Sequence, residues 1–564
     1  MVSSWLGTQR SAKSVAKDKI SEFNMSWRNL FGSLLLSLIP ISCVTLPVHA
    51  AERIKVSFGP LDLGISVREL ATFAKEGKVG DELESYLSRI ATNEDRKYIR
   101  DYLNFRADVK PLQVAQFFYS SVGVQILDYM GEHILAGNKQ NGSIAIRAAL
   151  ILAASDPEGL TAVNFLKFFP TDEIRLNSDE IFTTASKIEK LVKQTNGAIA
   201  AIGKLSALQA QSEPAIDLVK LQAQNLGQSG KFSYKVETVT LKDSRRNRSL
   251  VVDFYLPQGL SAPAPVVVLS HGLASNRQHF ADLAKHFASY GFVAAVPQHP
   301  GSDSVQVENL LRGYKKEVFD VNEFVDRPLD IRFILDEMGR RYPDRINLQQ
   351  VAVMGHSFGG YTALMVAGAT IDFEQLTKEC TKGFNGTNAS LLVQCEALKL
   401  PREAYNFKDD RVKLAIVVNP IDSSILGASG LSKIEIPVAI FASSDDAVAP
   451  IVLEQVEPFT WLKNSDRYLL LAKGVGHVFD VKSFLRTLAP SIALFIPSQD
   501  VDALDEYDRI FYLAMLETHL AHRPEYRPFL QASYAIATTK DPNKVNVLNS
   551  LTEAQFQKML VGEP

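Results

Sequence analysis

Gly355-His-Ser357-Phe-Gly359-Gly360 is the stretch of this 564-residue chain whose residue types and spacing point most directly to chemistry. It is a G-x-S-x-G pattern, preceded by VAVM and followed by YTALMVA. A strand that enters a helix through so tight a turn needs small neighbours beside the serine, and the two glycines supply them. The turn holds the Ser357 hydroxyl at the carboxyl edge of a sheet and at a helix N-terminus. Negative charge developing on an attacked carbonyl is favoured there. This predicts a nucleophile for acyl transfer. A serine alone is a weak nucleophile, so it needs a base, and the base needs an orienting acid. Behind such a turn the acid and then the base follow in chain order, each after a later strand.

The histidines downstream are His477, His519 and His522. His477 follows the strand-like RYLLLA, with Gly474 and Gly476 freeing its loop, and is the expected base. His519 and His522 fall on a predicted helix. Between nucleophile and base, FASSDDAVAP offers two adjacent carboxylates at a strand end. Both cannot face one histidine. Asp446-Ala-Val-Ala-Pro450 fits the Asp-x-x-x-Pro acid loop common in hydrolases, so Asp446 is favoured and Asp445 is its competitor. The oxyanion needs two N–H donors. The expected ones are the backbone of Phe358, directly after the nucleophile, and of Leu273, in the loop after LSHG. His271 is read as a structural hydrogen-bonder, His356 as packing, and His299 as part of the site wall.

Competing chemistries find no support. No H-E-x-x-H pattern for zinc occurs, and the Gly137–Gly142 stretch lacks the lysine of a phosphate loop. Gly474-Val-Gly476 lacks the third glycine of a dinucleotide turn. No cofactor and no metal are expected. With 46% apolar and 22% charged residues, wholesale disorder is excluded. Lys and Arg total 60 against 63 Asp and Glu, a net charge of −3 that makes no case for nucleic acid.

Two halves with different periodicity must position these residues. Residues 52–208 read as an all-α N-terminal domain. Ser66-Val-Arg-Glu69 reads as a capping box. Helices are expected from there to Gly77, from Asp81, from Asn93, over 111–130, 143–154 and 160–169, and from Ser178. Residues 209–230, rich in Gln and Ser with two glycines, read as a linker. Over 231–535 apolar strands alternate with helices: 232–242, 249–256, 264–272, 292–299, 351–357, 413–420, 437–445 and 467–472. Such strands are buried on both faces and imply a mainly parallel sheet flanked by helices, an α/β class. Residues 371–410 interrupt the alternation as an insertion, expected to cap the site and shape an acyl pocket. The alternative is a surface excursion packed on the N-terminal domain. Residues 536–564 read as a C-terminal tail.

Residues 1–50 read as an export signal. Five basic residues precede the apolar run Leu30–Leu46, and Val48-His-Ala50 then offers a small-x-small cleavage site. Met25 is an alternative start, and a retained membrane anchor is the competing reading. Of the three cysteines, Cys380 and Cys395 lie beyond this segment. In an oxidising compartment a bond between them is expected, contributing on the order of 3 kcal/mol by the chain-entropy model. Two free thiols are the alternative.

Residues 232–522 resemble an α/β-hydrolase, and within that superfamily the bacterial predicted dienelactone-hydrolase and platelet-activating-factor-acetylhydrolase-like branch. The resemblance is carried by Ser270-His-Gly272, Gln298-His-Pro-Gly-Ser302, Arg327-Pro-Leu-Asp330 and Gly355-His-Ser-Phe-Gly-Gly360. Residues 52–180 resemble the domain of unknown function that accompanies exported hydrolases of this type. The resemblance implies an α/β-hydrolase fold, with Ser357 as nucleophile, His477 as base and Asp446 as orienting acid. Dienelactone hydrolases use cysteine where this chain has Ser357, and the acetylhydrolase relatives point to short acyl or oxidised-lipid esters. The expected protein is an exported, periplasmic or extracellular serine esterase. Its partners would be a small-molecule or lipid ester substrate, with a membrane surface as a candidate and no nucleic acid. An amidase or peptidase on the same triad, and a non-catalytic binder acting through the helical domain, are the rival readings.

Overall fold

The computed structural model describes residues 51–58, 61–137, 139–477, 502–541 and 544–561. The export signal read over residues 1–50 lies outside the described residues. The chain divides into two compact units. Among the described residues, the first holds 51–118 and 134–176, and the second holds 119–133 and 177 onward.

The first unit is not all-α. β1 (Arg53–Phe58) and β2 (Leu61–Ser66) form an antiparallel pair, and β4 (Glu173–Leu176) runs parallel to β1 with β3 (Ile134–Leu135) beside it. Ile54, Val56 and Phe58 alternate with polar residues, a period-two signal in the sequence. β3 and β4 are too short to show any period. The helices Val67–Glu76, Asp81–Ile90 and Asn93–Asn104 close a core of Phe73, Ala74, Leu83, Leu87, Leu103 and Val163. Ser66 caps the first helix by accepting from the Glu69 N–H, but the reciprocal bond comes from elsewhere. The Ser66 N–H goes to Glu82, while the Glu69 carboxylate accepts from the Leu83 N–H, so each acid serves the other's helix.

The helical stretch expected over 111–130 breaks after Phe118. Its second part, Ser121–His133, belongs to the second unit, as does the 35-residue helix Ser178–Ser212. The latter runs into the segment read as a linker and is fastened to the chain's far end. Glu213 accepts from the Ala532 and Ser533 N–H groups, Ser206 from Val547 and Gln209 from Asn549. The boundary at residue 208 is therefore corrected. Ser206, Gln209 and Glu213 accept backbone N–H groups from segments far along the chain, a use that composition does not reveal.

Among the described residues the second unit is built on a nine-stranded sheet. Its strands are β5 (Tyr234–Asp243), β6 (Arg248–Pro257), β7 (Ala264–Ser270), β8 (Val293–Pro297), β9 (Ile346–His356), β10 (Val412–Val418), β11 (Val438–Ser443), β12 (Arg467–Ala472) and β13 (Val545–Leu548). The order is β13-β12-β11-β10-β9-β7-β8-β6-β5. From β8 to β12 neighbours run parallel, and β5, β6 and β13 are antiparallel edges. The parallel strands are β-branched, apolar and buried on both faces, which fits crossover helices on each side. β13 corrects the reading of residues 536–564 as a tail. VNVL is too short to show a pattern, yet it pairs with β12 and is buried throughout.

One face of this sheet packs on the helices Ala281–Ser289 and Asp502–His519 in a core that includes Phe287, Phe441, Phe511 and Leu513. His286 is caught beneath it at 6% exposure. Burial, helped by the Arg509 charge, holds the imidazole down to about 4. The unfolded chain takes up this proton near pH 6.5 and the folded chain resists it, so stability falls as pH drops between those values. Between about pH 7.5 and 5 this group alone should cost about 2 kcal/mol. In guanidinium titrations His286→Leu should lose correspondingly less stability over that range. An unchanged pH slope would contradict the assignment.

Candidate active site

β9 delivers Ser357 into a sharp turn, and the helix Phe358–Val366 starts directly behind it. Ser357 sits at φ 53°, ψ −116°, a left-handed conformation rare outside glycine. The flanking glycines are steric necessities. A Cβ on Gly355 would lie 2.0 Å from the Gly359 carbonyl oxygen, and one on Gly359 would lie 1.9 Å from that of Ser270. The Ser357 N–H donates to the Val418 carbonyl at 2.9 Å, which fixes the turn against the end of β10.

Three separate loops meet at this serine. The His477 Nε2 lies 3.0 Å from Ser357 Oγ, and its Nδ1 lies 2.6 Å from Asp446 Oδ2. Asp446 is buried, and its Oδ1 accepts from the Val448 and Ala449 N–H groups at 2.8 and 2.7 Å. Asp445 is exposed and accepts from the Ser444 hydroxyl instead. The His477 carbonyl accepts from His356 Nε2 at 2.9 Å and from Asn419 Nδ2 at 3.1 Å. Asn419 also bonds Ser443 through both its side chain and the Ser443 N–H, which ties the ends of β10 and β11 to the histidine loop. His356 thus makes a specific hydrogen bond as well as packing. Such a chain can draw a proton from the Ser357 hydroxyl and hold the resulting imidazolium against a carboxylate.

The two expected oxyanion residues lie on adjoining segments. Phe358 is the first residue of its helix, where N–H groups lack an intrahelical acceptor. Leu273 is half-exposed in the turn after β7. That turn abuts the elbow, since a Cβ on Gly272 would lie 2.9 Å from His356 Nδ1.

Behind this turn the structure assembles a buried polar cluster from the segments 270–272, 298–302 and 327–330. His271 Nδ1–H donates to the Gly272 carbonyl at 2.8 Å, and its Nε2 accepts from the His299 N–H at 3.1 Å. His299 is fully buried between Ser270 Oγ and Asp330, each at 3.0 Å, and so does not line the site wall. Arg246 and Arg248 pair with Asp330, and Arg248 also with Glu323. Arg327, fully buried, donates from Nε to Ser302 Oγ at 2.8 Å and from Nη1 to the His271 carbonyl at 2.7 Å. Burial lowers Arg327 to about 10 and pushes both Glu323 and Asp330 upward against the pull of the arginines. It also holds His271 and His299 well below the usual imidazole range. The sequence marked these three segments, and His271 as a structural hydrogen-bonder, but not their closure with Arg246, Arg248 and Glu323 into one buried cluster.

The insertion 371–410 comprises the helix Phe373–Cys380, the short helix Leu391–Gln394 and the 3-10 turn Cys395–Lys399. Cys380 and Cys395 are bonded, with Cα atoms 5.5 Å apart. The Ser390 N–H donates to the Val448 carbonyl, two residues from Asp446. Glu454, fully buried and also missed from the sequence, accepts from Asn388, Ser390 and Gln394 of the insertion and from the Asp422 and Ser423 N–H groups. The helix Ser121–His133 joins in. Gln125 donates to Glu396, the Lys399 ammonium to Ser121 Oγ, and the Tyr129 ring meets Phe384 edge-on at 5.0 Å. At its start the Ser121 N–H donates to Glu317, near Phe319, whose ring packs on Phe358.

Comparison with known families agrees with this architecture. Residues 50–177 match the family model described as an alpha/beta hydrolase of unknown function. Residues 222–380 match the model described as chlorophyllase, a span that includes the elbow and the turn at Leu273 and ends before Asp446 and His477. The two matches cover different parts of the chain, and the second spans the strands that lead to Ser357. The chain accordingly belongs to the α/β-hydrolase superfamily and carries an extra domain N-terminal to its nine-stranded sheet.

Proposed function

We propose that this hydrolase is a serine esterase that cleaves carboxylic esters through an acyl-enzyme. The observation that carries the reading is the ring of His477, flanked by Ser357 Oγ at 3.0 Å and Asp446 Oδ2 at 2.6 Å. Ser357 Oγ attacks the ester carbonyl carbon while its proton passes to His477 Nε2. The C–O bond to the alcohol breaks, and the leaving alkoxide takes that proton. Water, deprotonated by the same nitrogen, then attacks the acyl carbon and frees the acid and the serine. The N–H groups of Leu273 and Phe358 receive the oxyanion in both halves. Asp446 holds the imidazole in the tautomer that leaves Nε2 open. Export rests on the basic, apolar, small-residue order of residues 1–50.

The test is incubation of the full chain with a fluorophosphonate probe, followed by peptide mapping. Modification at Ser357 is expected, with turnover of p-nitrophenyl esters. An unlabelled chain would overturn the reading in favour of a binding protein. The acyl wall is assigned to the insertion and the helix Ser121–His133, which meet at Tyr129 and Phe384. Loops at this sheet edge commonly shape access. Phe384→Ala combined with Tyr129→Ala should shift preference toward longer acyl chains while probe labelling persists. An unchanged chain-length profile would remove the wall from this pair.

A further inference from the structure

Resting on the esterase reading, we propose that Arg327 is the positioning residue of the oxyanion site: one buried cation that polarises the Leu273 N–H and fixes the two segments that carry the donors. The two donors lie on segments far apart in sequence, and Arg327 touches the framework of each. On one side its Nη1 donates to the His271 carbonyl at 2.7 Å and its Nη2 reaches the Gly272 carbonyl at 3.5 Å. The Gly272 carbonyl belongs to the same peptide unit as the Leu273 N–H. It also accepts from His271 Nδ1–H at 2.8 Å. Donation into a peptide oxygen draws electron density from its nitrogen and strengthens that N–H as a donor. On the other side the guanidinium carbon stands 4.5 Å from the centroid of the Phe358 ring, whose residue supplies the second donor. The cation–π contact, with Phe324 and Phe319 edge-on against that ring, sets where the helix begins.

The cation is itself held rigidly. Nε donates to Ser302 Oγ at 2.8 Å, Ser302 donates to Glu323 at 2.5 Å, and Glu323 lies 3.6 Å from Nε. A lysine would keep the charge but lose the planar fork that reaches two carbonyls and one hydroxyl while stacking on a ring. Arg327 touches neither Ser357 nor His477 in the contacts described, so its effect must pass through the donors.

An ester and its thiono counterpart separate this role from a merely structural one. In the thionoester the developing charge falls on sulfur, a larger and poorer acceptor for donors set to hold oxygen. The ratio of the two rates therefore reads the oxyanion donors rather than the nucleophile. Loss of one such donor costs roughly 10²–10³-fold, so a change that only misplaces the pair should cost about tenfold or more. With p-nitrophenyl acetate and its thionoacetate analogue, Arg327→Lys should lower kcat on the oxo ester by that factor at little-changed KM. The thiono rate should hold nearly constant, so the oxo-to-thiono ratio collapses. Equal slowing of both esters, or none, would overturn the proposal. If Arg327→Lys does not accumulate as folded protein, Ser302→Ala, which removes the hydroxyl between Nε and Glu323 and leaves the guanidinium in place, should lower the same ratio several-fold, and an unchanged ratio there would overturn it. An unmodified chain without ester turnover would instead overturn the esterase reading on which the proposal stands.

Discussion

Ser357→Ala is expected to abolish fluorophosphonate labelling and to lower ester turnover by on the order of 10⁴-fold or more, because groups that act as a unit lose nearly everything when one is removed. The hydroxyl lies 3.0 Å from the nitrogen that would take its proton, and no other hydroxyl is placed at that nitrogen among the described residues. The fold should survive, since alanine keeps the backbone and removes one oxygen. Ser357→Gly adds a second arm. At φ 53° a side chain is strained by of order 1–3 kcal/mol, and glycine is not. The glycine variant should be inactive yet equal or higher in thermal midpoint than the alanine variant. Turnover within tenfold of the unmodified chain in either variant would remove Ser357 from the chemistry. A lower midpoint for glycine would remove the strain argument.

Asp446→Asn should lower activity nearly as far, roughly 10⁴-fold as in the worked triad template, while Asp445→Asn should change it little. The asymmetry follows from hydrogen bonds that precede any substrate. Asp446 Oδ1 accepts two backbone N–H groups, from Val448 and Ala449. An asparagine there must keep its oxygen on those donors, which turns its NH₂ toward His477 Nδ1. The imidazole then has to accept at Nδ1 and carry its proton on Nε2, facing Ser357, where it cannot receive another. Asp445 is exposed and occupied with Ser444. Michaelis kinetics on one short ester suffice to compare the two variants. Equal, small losses would place the acid elsewhere, and a loss at Asp445 alone would contradict the geometry of the loop.

The nucleophile turn was legible because its requirement is local. Gly355 and Gly359 must be small for a strand to become a helix within one residue, and that constraint is written next to Ser357. The parallel strands were legible because burial on both faces demands unbroken apolar runs such as Val266–Leu269 and Leu414–Val418. His477 stood out by order and exclusion, because the other downstream histidines were expected on a helix; the structure ends that helix at His519 and leaves His522 just past it. The choice between Asp445 and Asp446 had only a loop pattern behind it. Burial of one carboxylate and exposure of the other separate them in space. Other features carried no mark in the sequence that composition or period could resolve. β3, β4 and β13 are two to four residues long, shorter than any repeat that would announce a strand. Ser206, Gln209 and Glu213 resemble linker residues until backbone N–H groups more than 300 residues away take up their oxygens. Arg327, Asp330 and Glu454 have the composition of solvated surface. What makes them interior is the set of opposite charges and backbone groups that distant segments bring to them. A buried charge is tolerated only with partners, and partners supplied by segments this far apart exist only once the chain has folded.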